Sequence, residues 1–269
     1  MMRNRRKFLV RSGCFLATTS AIMNVGTVPF GIQAWADNGV FDSGEMESIL
    51  LELFGTSRYA DDASLRIDLP VEAINPEFVP FRVVALDSER IAIFIEENEY
   101  PLVLLSEEGH RAYRELTGTI RAEGCQHFTV YALRNGNLHR NTRTVRWSGP
   151  LDRMQWPNRA VTQPPPSTVL RGEFSRDGIN ILCSIRHQQG NLLGMTPHVR
   201  QVIFSVNDQI VSILECGPSI ARNPRFGIHL KSLHEDDVIQ VDWNDSAGTE
   251  GHALGTVGLI LGRNLYREI

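Results

Sequence analysis

Beyond residue 42 the apolar positions fall first at helical and then at strand spacing. Met46, Ile49, Leu50, Leu53 and Phe54 recur three and four apart and stop at Gly55. This predicts one short amphipathic helix, with Asp42 or Ser43 available as its cap. The period then shortens. Apolar or alternating runs at 65–69, 79–86, 91–95, 102–105, 117–121, 128–133 and 142–147 predict seven strands. Asn135-Gly136 and Ser148-Gly149-Pro150 supply turn chemistry between and after them, and seven short strands at this spacing are the pattern of a β-sandwich.

The stretch 156–168 breaks the pattern. It has no period and contains Pro157, Pro164, Pro165 and Pro166, which predicts an extended, semi-rigid linker. Strand patterns resume at 179–186, 199–206, 209–214, 226–230 and 238–243, with a last apolar run at 254–261 and a hairpin turn at Asn207-Asp208. The fold class expected is therefore mainly β, with two sandwich domains at 42–155 and 169–262 and a short helix before the first.

The N-terminus adds an address. Arg3, Arg5, Arg6 and Lys7 precede a weakly apolar stretch that ends Ala34-Trp35-Ala36, which reads as a cleavable signal over residues 1–36. Arg5-Arg6 followed by Lys7-Phe8-Leu9 resembles the twin-arginine export pattern, so the mature chain is expected in the periplasm, off the membrane once the signal is cleaved. The formal net charge of -4 provides no cation excess for nucleic acid or anionic lipid. With Cys14 removed, Cys125, Cys183 and Cys216 face an oxidising compartment: either one pair bridges and one thiol is left over, or all three are buried and inert.

Several short segments carry a family resemblance. Val202-Ile203-Phe204 before the Asn207-Asp208 turn, Ile220-Ala221-Arg222-Asn223-Pro224, and Trp243-Asn244-Asp245-Ser246-Ala247-Gly248 are similar to elements of SoxZ of the SoxYZ thiosulfate-oxidation carrier. Ile67-Asp68-Leu69-Pro70, Phe78-Val79-Pro80 and Phe94-Ile95-Glu96-Glu97-Asn98 resemble SoxY more weakly. The resemblance implies a SoxY–SoxZ fusion of two immunoglobulin-like sandwiches, of the kind associated with quinoprotein dehydrogenases. In such a fusion the linker raises the effective concentration of one half around the other, so the halves are expected to pair with each other, within one chain or between chains. His187, Asn223, Pro224, Trp243 and Asp245 occupy the family-motif positions.

Two departures limit what carries over. SoxY ends in a Gly-Gly-Cys-Gly-Gly arm whose cysteine holds the sulfur intermediate, and here the chain after Trp147 has no cysteine until Cys183. The SoxZ motif His-Pro-Met-Glu-Thr-Gly is altered to His187-Gln188-Gln189-Gly190. A carrier needs a thiol that ionises and reaches a partner. Cys216, at a predicted strand end where Gly217 and Pro218 force a turn, is the candidate, although Glu215 beside it raises its pKa. Alternation sends Cys183 to the core, and a Cys183–Cys216 disulfide and two buried thiols both stay open. Cys183, His187 and Met195 follow the order of a blue-copper loop, but Met195 lies too far beyond His187. No metal, cofactor or catalytic residue is expected. The reading is a non-enzymatic carrier or adaptor for periplasmic Sox-type or quinoprotein oxidoreductases; the alternative is a binding or structural sandwich protein that carries nothing.

Overall fold

The structure, a computed structural model, describes residues 39–108, 112–122, 124–147, 166–187 and 197–262. The signal positions Arg5, Arg6, Ala34 and Ala36 and most of the proline-rich linker lie outside the described residues.

The chain is mainly β, with one short helix ahead of its first strand. Helix α1 (Met46–Phe54) is followed by β1 (Ala60–Asp61), β2 (Arg66–Asp68), β3 (Val79–Val84), β4 (Arg90–Ile95), β5 (Leu102–Glu108), β6 (Ala112–Ile120), β7 (Cys125–Arg134) and β8 (Asn137–Arg146). The second half adds β9 (Ser167–Ser175), β10 (Gly178–Arg186), β11 (Val199–Val206), β12 (Gln209–Cys216), β13 (Arg225–Leu230), β14 (Val238–Asp245), β15 (Glu250–Thr256) and α2 (Val257–Ile260).

Neither Asp42 nor Ser43 caps α1. The helix starts after Glu45, and Ser43 Oγ accepts from the Glu45 amide instead. It ends as expected at Gly55, whose φ of 70° suits a residue without Cβ and whose amide closes on the Leu51 carbonyl. Ile49, Leu50 and Leu53 bury its inner face against Phe94, Leu102, Leu105 and Tyr131 of the nine-stranded sheet described next.

Two sheets are stacked, and both run through both halves. The nine-stranded sheet has the order β1-β8-β7-β4-β5-β12-β11-β14-β15, and the six-stranded sheet β2-β3-β6-β13-β10-β9. The two sandwiches expected from sequence are therefore side by side and joined strand to strand. At the seam β5 pairs antiparallel with β12, Leu104 opposite Cys216, and β6 pairs antiparallel with β13, Gly118 opposite Phe226. Strand alternation then sends one core through both halves, from Leu65 and Val83 to Val241 and Trp243.

Differences from the sequence reading fall at the edges. β9 begins at Ser167, inside the stretch expected to be linker, and its residues are exposed or half-buried throughout, so it has no apolar alternation to find. The run 254–261 is the end of β15 followed by α2, whose start is capped by Thr256 Oγ1 accepting from the Leu259 amide.

Because the seam is hydrogen-bonded in both sheets, the halves should unfold together. Leu104→Ala, at a fully buried seam position, is expected to cost about 2–5 kcal/mol. Trp147 and Trp243 fluorescence and far-ultraviolet circular dichroism should lose their native signal at one shared midpoint. Separate midpoints would show that the halves fold independently.

Candidate functional site

The strands of both sheets run so that β8, β10, β12 and β14 end, and β7, β11, β13 and β15 begin, at one end of the sandwich. The motif positions of the second half collect there. His187 follows β10 directly, and Asp245 closes β14. His187 Nδ1 lies 3.4 Å from Asp245 Oδ2 with both side chains fully buried, and the imidazole meets the Trp243 ring edge-on at 6.4 Å between centroids.

Asp245 organises the turn after β14. Its Oδ1 accepts from the amides of Ala247 at 2.9 Å and Thr249 at 2.8 Å, and Gly248, at φ 81°, permits the tight return. The Oδ2–Nδ1 contact is within ion-pair range, but its geometry is not that of a hydrogen bond. His187 Nε2 likewise has no hydrogen-bond partner among the described residues. Trp243 seats its indole over Gly251, where a Cβ would come within 2.5 Å of the ring, and its Nε1 donates to Thr168 Oγ1 at 2.7 Å.

His198 joins this cluster through the backbone. Its amide donates to Ser246 Oγ at 3.1 Å and its carbonyl accepts from the Ser246 amide at 2.9 Å. Burial, then the charges of Arg200 and Arg121 and the nearby His187, lowers the His198 pKa to about 4. No period or motif in the sequence singles out this histidine.

The Asn223-Pro224 element has a structural task. The chain passes from the nine-stranded to the six-stranded sheet over residues 217–224, between the two seam strands of the second half, β12 and β13. Arg121 donates its backbone amide to the Ser219 carbonyl at 3.1 Å, and Ala221 donates to Thr119 at 3.2 Å. Pro224, buried, accepts from the Ile185 amide at 3.0 Å, two residues before His187, while Asn223 is exposed. Across the seam Asn98 Nδ2 donates to Ser219 Oγ at 2.7 Å, and Gln126 Nε2 donates to Asn98 Oδ1 at 2.8 Å. Sequence reasoning missed Ser219 and Gln126, because partners so far apart leave no local signal.

The cysteines correct the carrier expectation. Cys216 is 2% exposed, at the inner end of β12, not on a mobile turn. The turn beyond it is tucked inward: Gly217 donates to the Val103 carbonyl at 2.8 Å, and a Cβ on it would meet the Leu102 carbonyl oxygen at 2.3 Å. Burial and then the Glu215 carboxylate raise the Cys216 pKa, disfavouring the thiolate that carriage needs. Cys183 is also buried, which pushes its pKa up to about 12. Both are free thiols, so the Cys183–Cys216 disulfide is not formed; the two sit in opposite sheets. Cys125, by contrast, is exposed at the start of β7 opposite Arg146, so the three cysteines are not all buried. On the same face His127 pairs with Glu97, which raises the histidine's pKa.

With this geometry in place, the profile of the family described as "Sulfur oxidation protein SoxY" matches residues 50–149. That described as "Sulphur oxidation protein SoxZ" matches residues 185–254. The chain is a SoxY–SoxZ fusion. The SoxZ match spans Cys216, Asn223, Pro224, Trp243 and Asp245 and opens two residues before His187. The two matches make it a sulfur-oxidation carrier-like protein. No curated protein matches the chain.

Among solved structures, the sulfur carrier protein SoxY from Chlorobium limicola f thiosulfatophilum is 24% identical with a TM-score of 0.36, over 42% of this chain and 98% of that one. β-Glucuronidase 3 of Bacteroides uniformis is 11% identical with a TM-score of 0.25, over 73% of this chain. A glycosyl hydrolase family 2 member of Bacteroides cellulosilyticus DSM 14838 is 14% identical with a TM-score of 0.22, over 68% of this chain. The fusion spans 25% and 24% of the lengths of those two enzymes, and neither likeness bears on function.

Two outcomes follow. Iodoacetamide on the native protein should modify Cys125, whereas Cys183 and Cys216 should react only after denaturation; peptide mass mapping reads this, and native labelling of Cys216 would contradict its burial. The His198 pKa lies below its ordinary 6.5, so between about 6.5 and 4 the unfolded chain binds more protons and stability falls as pH falls. The loss amounts to about 3 kcal/mol at most across that window. Urea titrations should show it in the native protein and a shallower slope in His198→Gln.

Proposed function

We propose that this SoxY–SoxZ fusion is a periplasmic adaptor that docks to an oxidoreductase, of Sox or quinoprotein dehydrogenase type. It catalyses nothing itself and carries no group on a second-half thiol. The observation that supports this is the burial of Cys216 together with Cys183. A thiol sealed in the core with its pKa raised can neither ionise readily nor enter a partner's active site. The sequence between Trp147 and Cys183 contains no cysteine that could stand in for the SoxY arm.

The halves pair within one chain in this reading. Support comes from the β5–β12 and β6–β13 ladders and from the Asn98–Ser219 bond across them. Export is by the twin-arginine route, in keeping with Arg5-Arg6 and with cargo that folds before it crosses.

Cys125 supports a second reading, in which an exposed thiol of the SoxY half carries the group. Complementation separates the two. Cells lacking the chain receive the native protein, a C125S variant, a C183A/C216A variant or the C125S/C183A/C216A variant, with periplasmic fractionation and melting temperature as controls. Thiosulfate oxidation and quinoprotein dehydrogenase turnover are then measured. The adaptor reading expects the cysteine-free chain to restore whichever activity the native chain restores. Loss confined to C125S would replace it with covalent carriage at Cys125.

A further inference from the structure

The outer face of the six-stranded sheet carries charge and apolar surface that the fold itself leaves unmatched. Alternation on β9, β10 and β13 places Arg171, Arg186 and Arg225 on that face. Their registers bring them together around Ser184: Arg225 lies opposite Ser184, Arg171 lies opposite Leu182, and Arg186 is one pleat beyond Ser184 on the same strand. With strands about 4.8 Å apart, the three backbone positions span about 10 Å across the sheet.

None of the three forms an ion pair with a carboxylate among the described residues. Arg82, on the same face in the SoxY half, is the contrast, held by Asp68 at 2.9 Å and Glu115 at 2.7 Å. Glu173 is the acidic neighbour on the same face of β9, one pleat from Arg171 and opposite Asn180, so it lies on the side of Arg171 away from Arg186 and Arg225. The SoxZ side of the face therefore keeps a cationic surplus in a chain whose net charge is -4.

Beside these arginines runs an apolar groove of about 600 Å³ that straddles the seam, lined by Leu69, Phe78, Pro80 and Thr117 of the SoxY half and Leu182 and Arg225 of the SoxZ half. The Arg225 guanidinium stacks over the Phe78 ring at 4.8 Å, which joins the charged patch to the groove wall. Two of the lining side chains, Thr117 and Leu182, close over Gly227, where a Cβ would lie 2.3 Å from Thr117 Oγ1 and 2.6 Å from Leu182 Cδ2, so only bare backbone fits beneath them.

We propose that this face docks an acidic protein segment, with an apolar side chain seated in the groove and flanking carboxylates on Arg171, Arg186 and Arg225. Guanidinium forks hold carboxylates in a fixed plane, and a desolvated apolar anchor beside them is the arrangement that gives an interface its affinity. The apolar groove favours a protein over nucleic acid, whose backbone offers it nothing to bury. The inference rests on the adaptor reading only in taking the occupant to be a protein.

The test uses the full mature chain and a fluorescein-labelled peptide, Glu-Glu-Phe-Glu-Leu-Glu-Glu, with its all-Gln counterpart and a dT oligonucleotide as competitors, read by anisotropy. The expectation is that the acidic peptide binds, and that affinity falls about tenfold or more in R171E/R186E/R225E and on raising salt from about 0.05 to about 0.5 M. L182E should weaken it while far-ultraviolet circular dichroism stays native. R66E, a charge reversal in β2 at the far side of the same sheet, should leave it within about twofold. Equal binding of the Gln peptide, indifference to the triple reversal, or preference for the oligonucleotide would overturn the proposal. Peptide binding that persists while cysteine-free complementation fails would sink the adaptor reading and leave this face standing.

Discussion

A strand at a sheet edge presents a row of unpaired N–H and C=O groups, and each sheet of the SoxY half would end in such a row at β5 and β6. The SoxZ half satisfies both. β12 completes the ladder on β5 and β13 the ladder on β6, so the backbone of each half is finished by the other. The rest follows from that closure. A core can run through both halves because neither seam strand has to turn polar residues outward, and Leu104, Leu214 and Cys216 are all buried where the halves meet. The cost of an open edge is one physical reason for the two halves to stay together, and fusion keeps each at high effective concentration around the other.

Closure at the seam also changes what the motif residues mean. Ser219, Ala221 and Pro224 direct backbone hydrogen bonds onto strands of both halves, and Asp245 uses one carboxylate oxygen to shape a turn. These are joints. The chemistry usually sought in a conspicuous Asp, His and Trp set is here a fully buried contact, His187 against Asp245, beside an indole anchored to Thr168. Burying Cys216 is part of the same construction, since the chain must turn under β5 at Gly217 to reach the other sheet.

Much of the fold was legible because one-sided burial writes a period into the chain. β10 and β14, with alternate residues buried, stand where the pattern placed them. β9 was not legible, since an edge strand whose inward residues, Thr168, Leu170 and Gly172, are only half-buried and mixed in polarity writes no apolar period. Pairing between β5 and β12 was not legible either, because register between strands so far apart in sequence leaves no local mark. For the site, resemblance named His187, Trp243 and Asp245, but nothing in their spacing said they touch. Cys216 was misjudged for a definable reason: Gly217-Pro218 does signal a turn, and a turn is ordinarily at the surface. This one is covered by Phe41, whose ring would lie 2.9 Å from a Cβ at Gly217.

The joined sheets also decide where a partner can bind. A groove whose walls come from Phe78 and Pro80 on one side and Leu182 and Arg225 on the other exists only when β6 and β13 are paired. Were the halves to separate, the stacking of Arg225 on Phe78 would be lost and the groove would open to bare sheet. Recognition at this face is therefore conditional on assembly, since a partner that reads both walls at once discriminates the joined protein from either half alone. A sulfur carrier built on a swinging arm needs no such condition, because its reactive group travels apart from the body. The thiols of the SoxZ half are sealed in the core, whereas on its outer face the unmatched arginines and the seam groove lie side by side.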